Sequence, residues 1–398
     1  IVKVATPEVQ ATDFLELLKS MSSLDEHQTV RILAVQAYVP FCLLLQQNNT
    51  IGGATEDLIT LIKAAVDDNS WRVRLAIVKD FGKFATCFPA EMVSGEVFTS
   101  YVHLLQDSES DVRSCACESA LPFIDIVGAD VFLAEVVPIS QQLSTDITPG
   151  VRKSLADMCV DVAAKVGPEA VAQHMSDLVM KCLEDEDPGV KLRVLLKIKV
   201  LATDVPTLLT RLTPTLKALY KDESWRVRKQ IVTSMPAVMK SMGNDFFVEN
   251  FLDDYLGSFK DSVAEVRVSA GASLSDLCEA SSASWVYDRV FPTIKGMANE
   301  EYAYRVAMLG ALKCLLGADL SDRFQGEIVG LLLTSAADVV ANVRLATAII
   351  LGEAVKRITG DNSAAVIAQI KPVLSELEGD KDKDVKYYAA EAIKICSY

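Results

Sequence analysis

The side chains that most often carry chemistry are few and scattered in this sequence of 398 residues. Its three histidines, His27, His103 and His174, lie far apart, and none has a cysteine or carboxylate neighbour at metal-ligand spacing. The sequence contains no glycine-rich phosphate loop, no GxSxG elbow and no HExxH motif. We therefore expect a protein that is not an enzyme, with no cofactor, no metal and no small-molecule substrate.

Cysteines and acidic clusters offer two further kinds of site. The nine cysteines are spread along the chain without a CxxC pair, which favours reduced, buried thiols in the cytoplasm, with the nucleus as a second location. The acidic runs at 184–187 and 379–384 lack the residue order of an EF-hand. Solvated loops are therefore a better interpretation of these runs than calcium sites.

Overall charge and hydropathy narrow the class of partner. A net charge of −15 argues against nucleic acid or an anionic membrane, because either would need a basic protein surface. No uninterrupted apolar run reaches the eighteen or so residues of a membrane span. The chain starts at Ile1 without a charged-then-apolar leader, so we expect no secretory signal.

An acidic and a basic residue recur together along the whole chain. An apolar residue followed by Arg or Lys occurs ten times at spacings of 37 to 43 residues, with Asp or once Asn five residues before it. The acidic column is Asp25, Asp68, Asp107, Asp146, Asp185, Asp222, Asp261, Asn299, Asp338 and Asp380. The basic column is Arg31, Arg74, Arg113, Arg152, Lys191, Arg228, Arg267, Arg305, Arg344 and Lys386. This period predicts a repeat architecture.

Each repeat unit predicts two helices. After the apolar–basic pair, apolar residues at offsets 0, 3, 4, 8 and 11 mark one face of an amphipathic helix, as in the unit that starts at Val73. Another helix precedes the acidic residue, and in several units it carries a proline that predicts a bend. These prolines are Pro138, Pro214, Pro292 and Pro372. Because one helix pair cannot bury its apolar faces alone, the units must stack. We predict an all-α fold, a right-handed α-α superhelix of about ten units that forms a single solenoid over 1–398.

The two charged columns are best interpreted as structural. The acidic residue should lie in the turn between the two helices, where it can cap the second helix. It can also pair with the Arg of its own and of adjacent units, which would form a charged ladder along one ridge. The predicted ladder comprises Asp68, Arg74, Asp107, Arg113, Asp222, Arg228, Asp261, Arg267, Asp338 and Arg344.

Turns that depart from the repeat are the candidates for function. Two turns read Ser-Trp-Arg-Val-Arg, at 70–74 and 224–228, and Tyr302 occupies the same slot as the two tryptophans. Trp, Tyr and Arg dominate interface hot spots, so these turns favour partner contact. The alternative is that each indole only seals the ridge by folding over the neighbouring turn. Trp285 lies outside this slot, and we expect it to pack.

These features resemble the scaffold (A, 65 kDa regulatory) subunits of protein phosphatase 2A, a HEAT-repeat family. The resemblance rests on the turn Asp, the Arg six residues later, the 39-residue period and the two Ser-Trp-Arg-Val-Arg turns, and the segments 291–295, 340–344 and 370–374 strengthen it. It covers the whole chain, which is similar to the last ten of the family's fifteen repeats.

The resemblance implies a non-catalytic scaffold of a serine/threonine phosphatase. The catalytic subunit would bind the turns of 206–398, and an interchangeable regulatory subunit those of 1–205. Carried over by position, the residues that contact the catalytic subunit would be Trp225, Arg226, Tyr302, Arg305 and Asn342. Trp71 and Arg72 would face the regulatory subunit.

Three residues depart from the family's pattern. Ala264 fills a slot where an aromatic residue is usual, and the eighth unit has Asn299 and Tyr304 in place of Asp and Val. The alternative function is a nuclear transport receptor or another HEAT-repeat adaptor, which would bind a basic cargo or a small GTPase. The regular spacing and the Trp–Arg turns count against this alternative.

Overall fold

The structure is a computed structural model that describes residues 7–24, 27–47, 51–357 and 363–395. Within these ranges the chain consists of α-helices and short 3₁₀- and π-helical turns, and it contains no strand. The predicted all-α solenoid class is confirmed. Asp25, the first member of the acidic column, lies outside the described ranges.

The chain divides into two compact units, Ile1–Leu208 and Leu209–Tyr398. In unit 1 the helices are α1 (Pro7–Lys19), α2 (Gln28–Gln47), α3 (Thr55–Val66), α4 (Trp71–Ala85), α5 (Ala90–Met92), α6 (Phe98–Leu104), α7 (Ser110–Glu118), α8 (Leu121–Val127), α9 (Ala129–Leu143), α10 (Pro149–Val166), α11 (Pro168–Ala170), α12 (Ser176–Leu183), α13 (Pro188–Leu196) and α14 (Ile198–Asp204). The boundary falls inside α15 (Pro206–Ala218).

Unit 2 continues the same alternation. Its helices are α16 (Trp225–Met242), α17 (Asn244–Asn250), α18 (Leu252–Ser258), α19 (Ala264–Ala272), α20 (Leu274–Ala280), α21 (Ala283–Arg289), α22 (Phe291–Gly296), α23 (Tyr302–Leu315), α24 (Asp322–Ser335), α25 (Ala341–Arg357), α26 (Ser363–Leu377) and α27 (Lys383–Ile395). Short π-helical turns lie at Ser20–Leu24, Val93–Val97 and Val171–Met175, and 3₁₀ turns at Ile51–Ala54, Leu219–Lys221 and Met297–Asn299.

The second helices of successive repeats pack side by side and form the core of each unit. In unit 1 this row runs through α2, α4, α7, α10 and α13, and in unit 2 through α16, α19, α23, α25 and α27. The apolar column lies between them: Val73, Val112, Val151, Val227 and Val343 are at most 1% exposed. Full burial of one such side chain contributes about 1.5–3 kcal/mol. The sequence period therefore marks the face along which the repeats stack.

The first helices are less regular than the second. Pro138, Pro214 and Pro372 lie inside α9, α15 and α26, whereas Pro292 begins α22 after α21 has ended. The first helix of the seventh repeat is also interrupted, at Phe251, where φ is −129° and no proline is present. Interruption of a first helix therefore does not depend on proline alone.

Three glycines connect one repeat to the next. Gly128, Gly167 and Gly243 have φ values of 86°, 86° and 87°, and each lies between a second helix and the following first helix. Residues with a Cβ rarely adopt this left-handed conformation, so glycine permits an abrupt end to the helix at these positions.

Among the described helices, α2 is long and apolar enough to cross a membrane by length and composition. It packs against α4, and its Tyr38, Phe41 and Leu45 side chains are at most 1% exposed. These contacts are those of a core helix in a repeat array.

Candidate protein-interaction ridge

The turns between the two helices of each repeat form a ridge, and the column Asp fixes the shape of each turn. Asp107 Oδ1 accepts a hydrogen bond of 2.8 Å from the backbone amide of Glu109, two residues later. The same bond occurs at Asp68, Asp146, Asp222, Asp261 and Asp338. Such side-chain bonds stabilise a tight turn. The predicted capping of the second helix is wrong, because this amide belongs to the residue that precedes the helix.

Each column arginine ties two turns together. Arg74 Nη1 donates to the backbone carbonyl of Asp68 in its own turn, at 2.8 Å. Its Nε and Nη2 donate to the two carboxylate oxygens of Asp107 in the next turn, at 2.6 and 2.8 Å. The Asp carboxylate thus pairs with the arginine of the preceding repeat and not with that of its own. The other Asp–Arg pairs are Arg31–Asp68, Arg113–Asp146, Arg152–Asp185, Arg228–Asp261, Arg305–Asp338 and Arg344–Asp380.

These carboxylates remain ionised at neutral pH. Burial by itself would raise the pKa of Asp107, but the hydrogen bonds from Arg74 and from the Glu109 amide lower it by more. The Arg344 hydrogen bonds hold the pKa of Asp380 at about 2. Because both partners stay charged and largely buried, the ladder has a structural role.

The two acidic clusters are also explained by turn geometry. Asp185 pairs with Arg152, and Asp187 caps α13 through the Gly189 amide at 2.6 Å while it pairs with Lys153 at 3.2 Å. In the second cluster, Asp382 Oδ1 accepts from backbone amides two and three residues later. In the described part of the chain, no group of three His, Cys, Asp or Glu side chains could hold a metal.

The two Trp–Arg turns have the same geometry. Trp71 begins α4 and Trp225 begins α16, and each indole is half-buried. The guanidinium carbon of the following residue, Arg72 or Arg226, lies 4.6 Å from the centroid of that indole in both turns. Both arginines are exposed. Each turn thus presents a flat cationic and aromatic surface, stabilised by a cation–π contact.

The remaining predicted contact residues lie in unit 2. Tyr302 begins α23 and is 55% exposed, and Asn342 is an exposed residue in the first turn of α25. Arg305 differs, because Nε and Nη2 donate to Asp338 and Nη1 donates to the Glu300 carbonyl. Its donors are taken, so we place Arg305 with the ladder and leave it out of the proposed contact set. Trp285, outside the turns, packs edge-to-face on Phe247.

The ladder has one unfilled position, although the sequence pattern predicts a pair there. Arg267 Nη1 donates to the carbonyls of Asp261 and Ser262 at 2.6 and 3.1 Å, but no carboxylate faces its Nε, because the next turn has Asn299. Two exposed apolar residues were not predicted from the sequence either. Ile147 and Val339 directly follow their column Asp and are each 91% exposed. Equivalent positions in most other turns carry polar or charged residues, and that contrast is the signal that could have found them.

Comparisons with known proteins agree with this geometry. A family model described as PPP2R1A-like HEAT repeat matches residues 90–167. The chain is a HEAT-repeat solenoid. The beta isoform of the 65 kDa regulatory protein of human serine/threonine-protein phosphatase 2A is 28% identical over 121 residues, which are 29% of this chain and 20% of that protein.

Solved structures that resemble this HEAT-repeat solenoid include karyopherins. Kap121p bound to Ste12p has a TM-score of 0.70 at 11% identity, over 98% of this chain and 46% of that one. Kap95p, from a structure with RanGDP, has a TM-score of 0.66 at 13% identity, over 98% of this chain and 53% of that one. The chain thus spans about half the length of these proteins, and at these identities the likeness concerns the fold alone.

Proposed function

We propose that this HEAT-repeat solenoid is a non-catalytic scaffold subunit of a protein phosphatase 2A holoenzyme. The turns of unit 2 would hold the catalytic subunit, and those of unit 1 would hold an interchangeable regulatory subunit. We further propose that it acts in the cytoplasm, with the nucleus as a second location. Neither role needs a cofactor, a nucleic acid or a membrane.

The observation that carries this proposal is the pair of identical Trp–Arg stacks at the starts of α4 and α16. The repeat itself does not require them, since the equivalent helix of another unit begins with Pro149 and that of a further one with Ala341. A half-buried indole beneath an exposed guanidinium offers a large rigid contact area with a polar edge, which is the usual chemistry of an interface hot spot. The match of residues 90–167 to a PPP2R1A-like HEAT repeat supports the assignment to a phosphatase scaffold.

The test replaces Trp225 and Arg226 by Ala in one chain and measures binding to purified human phosphatase 2A catalytic subunit. We expect at least a hundredfold loss of affinity, since hot-spot truncations cost about 2–4 kcal/mol each. Trp71→Ala with Arg72→Ala is the matched control, because it removes the same stack from unit 1. It should leave catalytic-subunit binding within twofold and weaken binding of a regulatory subunit. Circular dichroism should show equal helical content in all three chains.

The outcomes separate function from site. Retained binding by the Trp225→Ala, Arg226→Ala chain would refute the site assignment, and absence of binding by the wild-type chain would refute the function. Phosphatase activity of the purified chain alone would contradict the non-catalytic role. Binding of a small GTPase or a basic cargo in place of the phosphatase would favour the alternative, a nuclear transport receptor or another HEAT-repeat adaptor.

A further inference from the structure

The unfilled ladder position leaves a buried cation without its usual partner. Arg267 is nine-tenths buried, and its Nε has no hydrogen-bond partner among the described residues. In the preceding repeat, Arg228 uses the same atom and Nη2 to hold both oxygens of Asp261, at 2.7 and 3.0 Å. At the next position Asn299 replaces the aspartate, so the Nε–Nη2 edge of Arg267 faces no carboxylate.

The neighbouring residues do not supply an alternative acceptor. The ring of Tyr304 lies 5.3 Å from the guanidinium carbon of Arg267, where it stabilises the charge through a cation–π contact but accepts no hydrogen bond at Nε. A buried donor without an acceptor costs about 1–3 kcal/mol, and more where the group is charged. An external carboxylate at this edge would therefore gain both a charge-assisted bond and relief of that cost.

The same guanidinium lines an apolar groove on the row of second helices. The groove has a volume of about 420 Å³, within the range of sites that bind small ligands. Its walls come from α19, α23 and α25 and include Arg267, Tyr302, Val306, Asn342, Leu345 and Ile349. Tyr302 at its edge is 55% exposed, and Val268, next to Arg267 in the chain, is 64% exposed. The unpaired cation thus lies beside an apolar surface.

We propose that this groove binds an acidic residue of a protein partner together with an adjacent large apolar side chain. The partner's Asp or Glu completes the Arg267 pair in trans, in place of the aspartate that this repeat lacks. The apolar side chain fills the groove between α23 and α25. The identity of the partner, the phosphatase catalytic subunit, rests on the proposed function, whereas the chemistry of the groove does not.

Nearby charges define the partner segment more closely. Glu300 is paired with Lys260 at 2.6 Å, while Glu265 and Glu301 are exposed and flank Arg267 and Tyr302 in the chain. These two exposed carboxylates would repel a run of acidic residues. The segment that fits is therefore a single carboxylate between neutral, apolar neighbours.

Asn299→Asp tests the proposal by supplying the missing carboxylate within the chain. We expect this variant to bind the purified catalytic subunit with about tenfold lower affinity than wild type, because its own carboxylate occupies Arg267. Asn299→Ala is the matched control, and its affinity should stay within twofold of wild type. The Asn299→Asp chain should also melt at a higher temperature than the control, which reports that the internal pair has formed.

A second measurement is independent of the phosphatase. In chains labelled with ¹⁵N-arginine, the Nε–Hε signal of Arg267, assigned by its loss in Arg267→Lys, is followed while the peptide acetyl-Phe-Asp-amide is added. We expect a saturable shift in wild type, no shift in Asn299→Asp, and no shift with acetyl-Phe-Asn-amide. A peptide shift without catalytic-subunit binding by wild type would refute the proposed function and support the groove. Unchanged affinity in Asn299→Asp together with an unresponsive Arg267 signal would overturn the proposal.

Discussion

Replacement of Asp107 by Asn measures what one Asp–Arg pair contributes to the cohesion of neighbouring repeats. The Arg74 and Asp107 side chains are only 14% and 6% exposed. Two hydrogen bonds join them, Nε to Oδ2 at 2.6 Å and Nη2 to Oδ1 at 2.8 Å. The substitution keeps the size of the side chain and leaves an oxygen for the Glu109 amide, but it places an NH₂ group opposite the Nε–H of Arg74. One bond and the negative charge are lost.

The magnitude follows from what is stranded. Loss of a hydrogen bond to a charged group costs about 1.5–3 kcal/mol, and a buried charge without its partner brings the total to about 3–5 kcal/mol. Because Asn still accepts one bond from Nη2, we expect the lower end, about 3 kcal/mol. The double variant Arg74→Met, Asp107→Leu removes both charges, and it should lose less stability than Asp107→Asn alone.

Native-state hydrogen exchange is the suitable assay. A solenoid contacts itself only between neighbouring repeats, so its unfolding need not be two-state and a single free energy from denaturant can mislead. The exchange rates of amides in α7 report the local opening free energy directly. We expect these amides to exchange about a hundredfold faster in Asp107→Asn, with little change in α27.

Two results would refute this reasoning. A loss of less than about 1 kcal/mol in α7 would place the pair with exposed surface ion pairs, which contribute little. A double variant whose loss equals the sum of the two single losses would show that the residues do not interact, since coupled neighbours deviate from additivity.

Three further predictions concern acid stability, packing and thiols. Because the pKa of Asp380 is about 2 when folded, against an ordinary value of 3.8, its pair contributes fully above about pH 4 and is lost as the pH falls towards 2; the stability difference between wild type and Asp380→Asn, measured by denaturant at each pH, should shrink over that range, and a constant difference would exclude this cause. Gly352→Ala should destabilise by about 1–3 kcal/mol in thermal melts, because a Cβ would lie 2.8 Å from that of Ala392, whereas Gly330→Ala, whose Cβ would have no neighbour within 4 Å, should be neutral or stabilising. Burial raises the pKa of Cys115 to about 11, so its thiol should react with a disulfide reagent at pH 8 only after denaturant is added; rapid reaction in the native protein would contradict this.

The helical repeats were predictable because burial follows residue type and spacing. The apolar column with its offsets of three and four residues predicted the second helices, and Val73, Val151 and Val343 are buried as that pattern requires. The Trp–Arg turns were predictable as exceptions to the same pattern. Their stacked geometry was not, because a dipeptide in a sequence does not reveal the rotamers of its side chains.

The ladder shows the limit most clearly. Each Asp lies six residues before its own arginine and 33 to 37 residues after the arginine of the preceding repeat, and proximity in sequence favours the wrong partner. The stacked turns reverse that choice, since Nη1 is taken by a backbone carbonyl in its own turn and Nε and Nη2 point to the next one. For the same reason only the structure could separate Arg305, whose donors are filled, from Arg267, which lacks a carboxylate.

The amino-acid sequence by itself determined the period, the all-α class, the buried face of each second helix and the turns that depart from the repeat. These properties are local, because they depend on which side chains leave water at a helical spacing. The tertiary structure alone decided which charges pair, which apolar residues remain exposed at the ridge, and where a groove lies beside an unpaired guanidinium. These properties depend on the contact between one repeat and the next, and that contact is made only when the chain folds.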